Sequence, residues 1–146
     1  MKMNIKKLHD DAIIPTRGTN ESAGYDLYAY LDEDNISINP GESVMIKFGI
    51  SIEIPSGYFA GIFARSGMAA KRNLRPANCT AVIDSDYRGE LMLPLYNDSK
   101  EVQVIENKDR VAQLVVMPYL NVEFEEVDEL STSERDQGGF GSTGTK

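Results

Sequence analysis

The sequence predicts an all-β protein, with a distorted jelly-roll sandwich or barrel as its fold class and one short helix. Three observations support this prediction. Apolar residues alternate with polar ones over short segments, turn residues separate those segments, and helical periodicity is nearly absent. Many short strands at such spacing are typical of sandwiches and barrels. The chain has 146 residues, which is the usual size of one domain with one core.

The clearest strand signal lies in residues 44–54, where every even-numbered residue is apolar. Even and odd positions of a strand face opposite sides of a sheet, so we expect one buried face here. Gly49 in the middle predicts a bulge or a bend. The leucines of residues 91–95 alternate likewise, and Pro94 between them predicts an edge strand or a bulge.

Two richer apolar runs, Tyr58–Phe63 and Val111–Met117, predict inner strands. Shorter alternations at residues 102–104 and 122–124 predict further strands. The one helix candidate lies near Gly67–Lys71, where two alanines favour it. Clusters of turn residues separate these segments at positions 39–41, 55–57, 97–99 and 107–109.

Composition and charge exclude several classes of function. With 15 basic and 23 acidic residues the formal net charge is −8, which disfavours binding to duplex nucleic acid. Cys79 and His9 are the only cysteine and histidine, which excludes an internal disulfide and a zinc centre built from such ligands. No stretch approaches the roughly 20 apolar residues of a membrane span, and the N-terminus does not resemble a secretory signal. We therefore expect a cytoplasmic protein without nucleic-acid or membrane partners.

The last sixteen residues, Ser131–Lys146, differ from the rest because Phe140 is their only large apolar side chain and four are glycines. Such a segment cannot bury enough surface to fold alone. We therefore expect a β domain over residues 1–130 and a flexible glycine-rich arm over 131–146. A frayed tail is the ordinary alternative. However, residues 135–144 combine a guanidinium, an aromatic ring, hydroxyls and glycine amides, which are the groups that could order around a nucleoside triphosphate.

Residues 139–144 also fit the pattern G-x-G-x-x-G. The dinucleotide-binding interpretation of that pattern needs a strand before it and a helix after it within a βαβ unit. Neither is predicted here, so we reject that interpretation. The glycines can still offer backbone N–H groups to phosphate oxygens.

Three other stretches contain side chains suited to phosphate chemistry. Arg65–Ala69 lies where a strand gives way to the helix candidate, and its Arg and Ser donors suit phosphate, although Ser-Gly there is also common capping chemistry. Asp84 follows an apolar run and can act as a general base on water, although a polar hairpin loop is the ordinary interpretation. Asp26 is a second candidate acid, and aspartate carboxylates suit Mg²⁺.

The joint order of these stretches resembles the five motifs of the homotrimeric deoxyuridine triphosphatases (dUTPases). The matching ranges are Ala23–Ala29, Arg65–Ala69, Ala81–Leu91, Arg110–Met117 and Arg135–Gly144. The resemblance implies a jelly-roll protomer and a homotrimer with active sites shared between subunits. It also implies Mg²⁺-dependent hydrolysis of dUTP to dUMP and pyrophosphate, which limits uracil incorporation into DNA and supplies dUMP for dTMP synthesis.

By the same resemblance, Asp84 is the base that activates the water attacking the α-phosphorus. Tyr87 packs against the deoxyribose and leaves no room for a 2′-hydroxyl, while Asp26 and Arg110 organise the site. The triphosphate holds the Mg²⁺, and Asp26 reaches the metal only through water, so no direct metal ligand is implied. The implied substrate-binding residues are Arg65, Ser66, Gly67, Asn78, Val82, Ile83, Asp84, Tyr87, Met92, Gln113, Arg135, Phe140, Gly141, Ser142 and Thr143.

These residues divide by the part of the substrate that each is implied to contact. Asn78 and the backbone near residues 82–84 and Met92 read the uracil edge, and Phe140 covers the base. The phosphate contacts are Arg65, Ser66, Gly67 and Gln113, with Arg135 and residues 141–143 at the γ end.

Two other classes of protein compete with this interpretation. A dCTP deaminase is similar in fold, but it uses a glutamate near the base amine and lacks the glycine-rich arm. A non-catalytic β sandwich would have no need of Asp84 or of that arm. The third motif and the arm together favour the dUTPase interpretation.

Overall fold

The computed structural model describes residues 1–139, in which eleven strands and one helix are present. The strands are β1 (Asn4–Lys7), β2 (Tyr25–Tyr28), β3 (Asn35–Ile38), β4 (Ser43–Lys47), β5 (Ile50–Glu53), β6 (Tyr58–Ala64), β7 (Leu74–Pro76), β8 (Ala81–Ile83), β9 (Met92–Asn97), β10 (Gln103–Glu106) and β11 (Arg110–Pro118). The helix α1 spans Ser66–Arg72. The prediction of an all-β protein with one short helix is therefore confirmed.

The strands form four antiparallel sheets that pack as a β sandwich around one apolar core. A four-stranded sheet has the order β2-β11-β6-β8, and a three-stranded sheet has the order β4-β9-β7. The pairs β1-β5 and β3-β10 complete the fold. The two long apolar runs become β6 and β11, the inner strands of the larger sheet, as their composition predicts.

The alternating segment 44–54 buries its even-numbered side chains as predicted, apart from the half-buried Val44, but it forms two strands rather than one. β4 ends before Gly49 and β5 begins after it, and the two strands belong to different sheets. Gly49 has a φ of +65°, and a Cβ built there would lie 2.9 Å from the Cβ of Ala12 and 3.0 Å from Cγ of Tyr30. Only glycine fits this conformation and this space without strain.

The prediction that Pro94 marks an edge strand is wrong, because β9 lies between β4 and β7. The carbonyl of Pro94 accepts a hydrogen bond from Ala77 N at 2.8 Å, just beyond Pro76, where β7 ends. The N–H and C=O of a residue in an antiparallel strand point to the same neighbour. The missing N–H of Pro94 therefore falls at the end of the β7 ladder, where it removes little pairing.

Two predictions about shorter strands need correction. In β10 the fully buried residue is Ile105, whereas Val104 is exposed. Residues 119–139 contain no strand or helix, and both Val122 and Phe124 are exposed. A strand needs a partner edge, and this part of the chain pairs with none in one protomer.

The helix α1 confirms the prediction over 67–71 and buries Met68 against the core. It ends at Asn73, which adopts the left-handed conformation that terminates many helices. Within residues 1–139, no helix has the length and apolar character needed to cross a membrane.

A buried amide joins the end of β9 to its surroundings. The side chain of Asn97 is fully buried, and its Nδ2 donates to the carbonyls of Ile38 at 2.9 Å and Glu101 at 2.8 Å. Its Oδ1 accepts from Ser99 N at 2.9 Å and from Ser99 Oγ at 2.7 Å. This one side chain therefore satisfies polar groups of three neighbouring residues.

Candidate active site

Most of the site residues predicted from the sequence lie in two separate clefts. The first, called the Asp84 cleft here, has a volume of about 230 Å³. Its lining residues are Met45, Val82, Ile83, Asp84, Tyr87, Glu90, Met92 and Pro94. It therefore contains the predicted general base, the predicted sugar contact and the two strand ends predicted to read the base.

Asp84 owes its position to the end of β8. It is the first residue after that strand, it is exposed, and its carbonyl accepts from Tyr87 N at 3.2 Å to close a turn. The Tyr87 hydroxyl donates to the carbonyl of Glu90 at 3.0 Å. A Cβ on Gly89 would lie 2.4 Å from that hydroxyl, so the phenol lies directly against the glycine backbone. The turn therefore presents a carboxylate and a fixed aromatic ring to the same cleft.

The second cleft, called the Arg65 cleft here, has a volume of about 500 Å³. Its lining residues are Gly18, Ser22, Ala23, Gly24, Asp26, Phe63, Arg65, Ser66, Gly67, Arg110, Gln113 and Val115. These come from the loop before β2, from β2 itself, from the junction of β6 with α1, and from β11. Both predicted organising residues are therefore together with the predicted phosphate contacts Arg65, Ser66, Gly67 and Gln113.

An ion cluster orients the cations of the Arg65 cleft. Asp26, whose side chain is only 14% exposed, accepts from Arg65 Nε on Oδ1 at 2.7 Å and from Arg110 Nη1 on Oδ2 at 3.2 Å. Arg65 Nη1 also donates to the carbonyl of Arg110 at 2.9 Å. These contacts use two of the five N–H donors of the Arg65 guanidinium and leave others for a ligand.

Gln113 acts on the same corner through the backbone. Its Nε2 donates to the carbonyl of Ala64 at 2.9 Å, immediately before Arg65. A Cβ on Gly24 would lie 2.3 Å from Gln113 Oε1, so the glycine makes room for this amide. The side chain predicted to contact phosphate therefore also anchors the strand that leads into α1.

The charge of the Arg65 cleft suits an anion. Of the described residues that line it, two are arginines and Asp26 is the one carboxylate, on a chain whose formal net charge is −8. A local excess of cationic donors attracts phosphate even on an acidic protein. Ser66, the first residue of α1, adds a hydroxyl, and the N-cap residue before it, Arg65, makes no side-chain capping hydrogen bond.

The Asp26 carboxylate is paired with two arginines, which disfavours direct contact with Mg²⁺. Both oxygens of that carboxylate already accept from guanidinium groups. Within residues 1–139, no three side chains of the His, Cys, Asp and Glu types are grouped closely enough to hold a metal. A metal brought by a ligand would fit this cleft with Asp26 reaching it through water.

The two clefts lie at opposite ends of one sheet. In the β6–β8 pair, Ile83 is opposite Ala60, so Asp84 lies near the start of β6. Arg65 follows the last residue of that strand, five positions after Ala60. In the same register Asp84 lies opposite Phe59, six positions before Arg65, so at about 3.3 Å per residue Asp84 and Arg65 are separated by roughly 20 Å along the strand. One protomer therefore does not bring these two residues together.

Comparison with known proteins identifies the family. The dUTPase family model matches residues 10–144. The deoxyuridine 5′-triphosphate nucleotidohydrolase of Hydrogenobaculum sp. is 44% identical over 146 residues, which is 100% of both chains. The solved structure of Staphylococcus bacteriophage 80alpha dUTPase with dUPNHPP is 31% identical, with a TM-score of 0.87 and 98% of both chains covered.

The chain belongs to the dUTPase family.

A more distant dUTPase adds one observation about metal. The structure of a mutant dUTPase from phage phi11 of S. aureus is 25% identical, has a TM-score of 0.80, and covers 90% of this chain and 100% of its own. It is described as showing the coordination of a structural Mg(II) ion in that protein.

The clefts divide the dUTPase motifs into two groups. Residues of the first, second and fourth motifs line the Arg65 cleft, and residues of the third motif line the Asp84 cleft. Asn78 lies in the turn between β7 and β8 and lines neither cleft. Arg135 of the fifth motif is exposed, and its Nε donates to the carbonyl of Gly138 at 2.8 Å. The predicted contacts Phe140, Gly141, Ser142 and Thr143 lie outside the described residues.

Several lining residues of this dUTPase were not predicted from the sequence. Met45 and Pro94 are opposite one another in the β4–β9 pair and face away from the core. Phe63 and Val115 lie on the face of β6 and β11 opposite the core. Strand alternation identifies such outward positions, but only the pairing of strands distant in sequence shows which of them share a cleft. Glu90 lies outside the strands, so alternation does not identify it as a lining residue.

Proposed function

We propose that this dUTPase-family chain hydrolyses dUTP to dUMP and pyrophosphate. One observation above all supports the proposal: an exposed aspartate and an aromatic ring share a small cleft, while arginines and a serine line a second one. A nucleotide presents the same division, with a base and sugar at one end and phosphates at the other. In cells this reaction would limit uracil incorporation into DNA and supply dUMP for dTMP synthesis.

The separation of the clefts supports a homotrimer with shared active sites. A nucleotide whose α-phosphorus lies at Asp84 needs cationic donors within a few ångströms, and roughly 20 Å separate that residue from Arg65 in one protomer. A second copy would supply the missing half, and cyclic closure would then give equivalent sites.

The outer face of the four-stranded sheet offers a surface for that assembly. Opposite the core it presents an apolar set of side chains, which are Phe59, Phe63, Val82, Val115 and Met117. Gly61 lies among them, and a Cβ there would lie 2.6 Å from the ring of Phe63. An apolar sheet face continuous with both clefts suits burial against other copies of the same chain.

The hydrolytic step follows from the position of Asp84. The carboxylate would accept a proton from water as the water oxygen bonds to the α-phosphorus. The bond from that phosphorus to the oxygen bridging to the β-phosphate would break. Pyrophosphate would leave with the electron pair, and dUMP would retain the oxygen from water. Exposure of Asp84 at a strand end gives water direct access to it.

Recognition of uracil is assigned to strand backbone. β8 is the outer strand of its sheet, and β7 pairs with β9 only from Leu95 onward. Val82, Ile83 and Met92 can therefore direct unpaired N–H and C=O groups toward the cleft, with Asn78 as a further contact. Uracil offers acceptors at O2 and O4 and a donor at N3. Cytosine inverts part of this pattern and would leave polar groups unpaired, which is a strong basis for rejection.

The phosphates are assigned to the Arg65 cleft of a neighbouring protomer. Arg65, Ser66, Gly67 and Gln113 would contact them, with Asp26 and Arg110 holding the arginine in position. Mg²⁺ would be held by phosphate oxygens, with Asp26 reaching it through water, and when bound it would neutralise phosphate charge. The glycine-rich arm would close over the site, with the γ end held by Arg135, Gly141, Ser142 and Thr143 and the base covered by Phe140.

The proposal is tested by pyrophosphate release from dUTP, dCTP, dTTP and UTP, with and without Mg²⁺. Of the four nucleotides, we expect rapid turnover only of dUTP, and only when Mg²⁺ is present. Release of ammonia from dCTP would instead identify a deaminase. No turnover of any nucleotide by correctly folded protein would favour a non-catalytic sandwich.

A further inference from the structure

Glu90 contacts two parts of the molecule: Tyr87, the proposed sugar-binding residue, and Gly49, which lies between β4 and β5. Glu90 lines the Asp84 cleft and is half-buried. Its carbonyl accepts from the Tyr87 hydroxyl at 3.0 Å, and its Oε1 accepts from Gly49 N at 3.0 Å. No role for Glu90 follows from the sequence pattern.

The bond to Gly49 fills a gap in the backbone ladder. Leu91 O accepts from Phe48 N at 3.1 Å, and Leu91 N donates to Ile50 O at 2.9 Å. Gly49, which lies between Phe48 and Ile50, makes no backbone hydrogen bond to Leu91, as is usual for the extra residue of a β-bulge. The Glu90 carboxylate therefore supplies the acceptor that the ladder does not.

Contacts with several neighbouring residues hold Gly49 in place. Its carbonyl accepts from Leu8 N at 2.8 Å, and the side chains of Ala12 and Tyr30 lie against its α-carbon. At the other end, the phenol of Tyr87 lies on Gly89. The ring is thus held by residues 89–90, and Glu90 is held by the bulge between β4 and β5.

We propose that Glu90 is a positioning residue for selectivity between deoxyribose and ribose, because it fixes Tyr87 relative to the bulge at Gly49. This inference rests on the proposed function, in which the Tyr87 ring occupies the space of a 2′-hydroxyl. Without the Glu90 carboxylate the turn can shift away from the sandwich, and the ring then no longer excludes a ribose. Displacements of about 1 Å can change rates by up to about 100-fold, so small shifts of the ring are sufficient.

The experiment compares kcat/KM for dUTP and UTP in Glu90→Ala and Glu90→Gln, with the melting temperature of each. We expect Glu90→Ala to lower the dUTP to UTP ratio by about tenfold. Glu90→Gln keeps an acceptor at Oε1, so we expect it to restore most of the ratio. A merely structural role would lower the melting temperature without changing the ratio.

Asn107→Ala provides a matched control, because Asn107 Oδ1 accepts from the backbone N of Leu31 at 3.0 Å, away from both clefts. It removes the same kind of bond and should lower the melting temperature while leaving the ratio unchanged. A ratio changed equally by this variant would overturn the inference.

The possible failures are distinguishable. If the wild-type protein does not turn over dUTP, or if Tyr87→Ala leaves the ratio unchanged, the proposed function or its sugar contact fails, and the inference fails with it. If Tyr87→Ala narrows the ratio but Glu90→Ala does not, only the inference fails. Should Glu90→Ala not fold, Tyr87→Phe removes the hydroxyl tether and keeps the ring. A ratio unchanged in Tyr87→Phe would then overturn the inference.

Discussion

The Asp26 carboxylate accepts a hydrogen bond from the Arg65 guanidinium, with Oδ1 and Nε 2.7 Å apart. This contact joins β2 to the junction of β6 and α1, which are distant in sequence. The same carboxylate contacts Arg110, so one acid orients both cations of the Arg65 cleft. Ion pairs within the protein hold these side chains in place, which lowers the cost of ordering them on binding.

Replacing Asp26 with asparagine should therefore weaken substrate binding. The amide is similar in shape but cannot form either ion pair, so Arg65 loses its fixed orientation. We expect KM for dUTP to rise about tenfold, corresponding to about 1.4 kcal/mol. Steady-state kinetics measure this. Asp98→Asn is the matched control, because Asp98 pairs with Arg75 away from both clefts and its loss should leave KM unchanged. An unaltered KM in Asp26→Asn would contradict the organising role.

Asp84→Asn should abolish turnover while dUTP still binds. The amide cannot take a proton from water, and general-base assistance typically supplies about 10²–10⁴ in rate. Rapid-quench kinetics and equilibrium binding separate the two effects. Asp86→Asn changes the same loop but not the lining of the Asp84 cleft, and it should lower kcat far less. Near-normal kcat in Asp84→Asn would remove this residue from the role of base.

Shared sites predict that two inactive variants restore activity when mixed. Asp84→Asn chains still provide Arg65, and Arg65→Ala chains still provide Asp84. After refolding a mixture of equal amounts, about one site in four should contain both wild-type residues. Sedimentation should show trimers in each sample. Either an active monomer or no recovery of activity in mixed trimers would exclude sites built from two chains.

The arm should contribute to catalysis and little to folding. Deleting Gly138–Lys146 should lower kcat for dUTP steeply and leave the trimer and its melting temperature almost unchanged. dUDP lacks the phosphate that Arg135 is proposed to hold, and it should be a poor substrate. Trypsin offers a direct measurement, because a non-hydrolysable dUTP analogue with Mg²⁺ should protect the bond after Arg135. Equal rates of cleavage with and without the analogue would show that the arm is a tail that does not bind the substrate.

Asn97→Ala should destabilise the sandwich by about 2–3 kcal/mol, because it removes the amide that bonds the buried carbonyl of Ile38 and the half-buried N–H of Ser99. Chemical denaturation measures the loss. Asn39→Ala removes an exposed bond to Glu42 and should change the free energy of unfolding by no more than about 0.5 kcal/mol. A similarly small effect at Asn97 would mean that water replaces its bonds.

Local patterns in the sequence predicted most of the elements and failed where pairing is non-local. Continuous apolar runs located β6 and β11, because the burial of a strand depends largely on its own residues. Alternation missed that β4 and β5 separate at Gly49, since their partners belong to different sheets. It misplaced Pro94 because the lost N–H depends on where β7 ends.

The site shows the same limit. Resemblance to family motifs identified Asp84, Arg65 and Asp26, and the structure places them in two clefts. The distance between those clefts follows from the pairing of Ile83 with Ala60, which no local pattern contains. The role inferred for Glu90 likewise depends on a contact with a bulge on another strand.

In the proposed trimer, the 21 residues 119–139, which contain neither strand nor helix, would set how strongly the arm must bind. A flexible tether of this length would have a root-mean-square span of at least about 25 Å, which would keep the end of the chain within reach of an adjoining protomer. The effective concentration there is of the order of millimolar, and contacts with dissociation constants in that range would suffice for frequent closure. Weak binding of the arm would also permit the site to open rapidly, and it would make turnover tolerant of small changes in tether length. Selection on this stretch would therefore act on its reach rather than on its individual side chains.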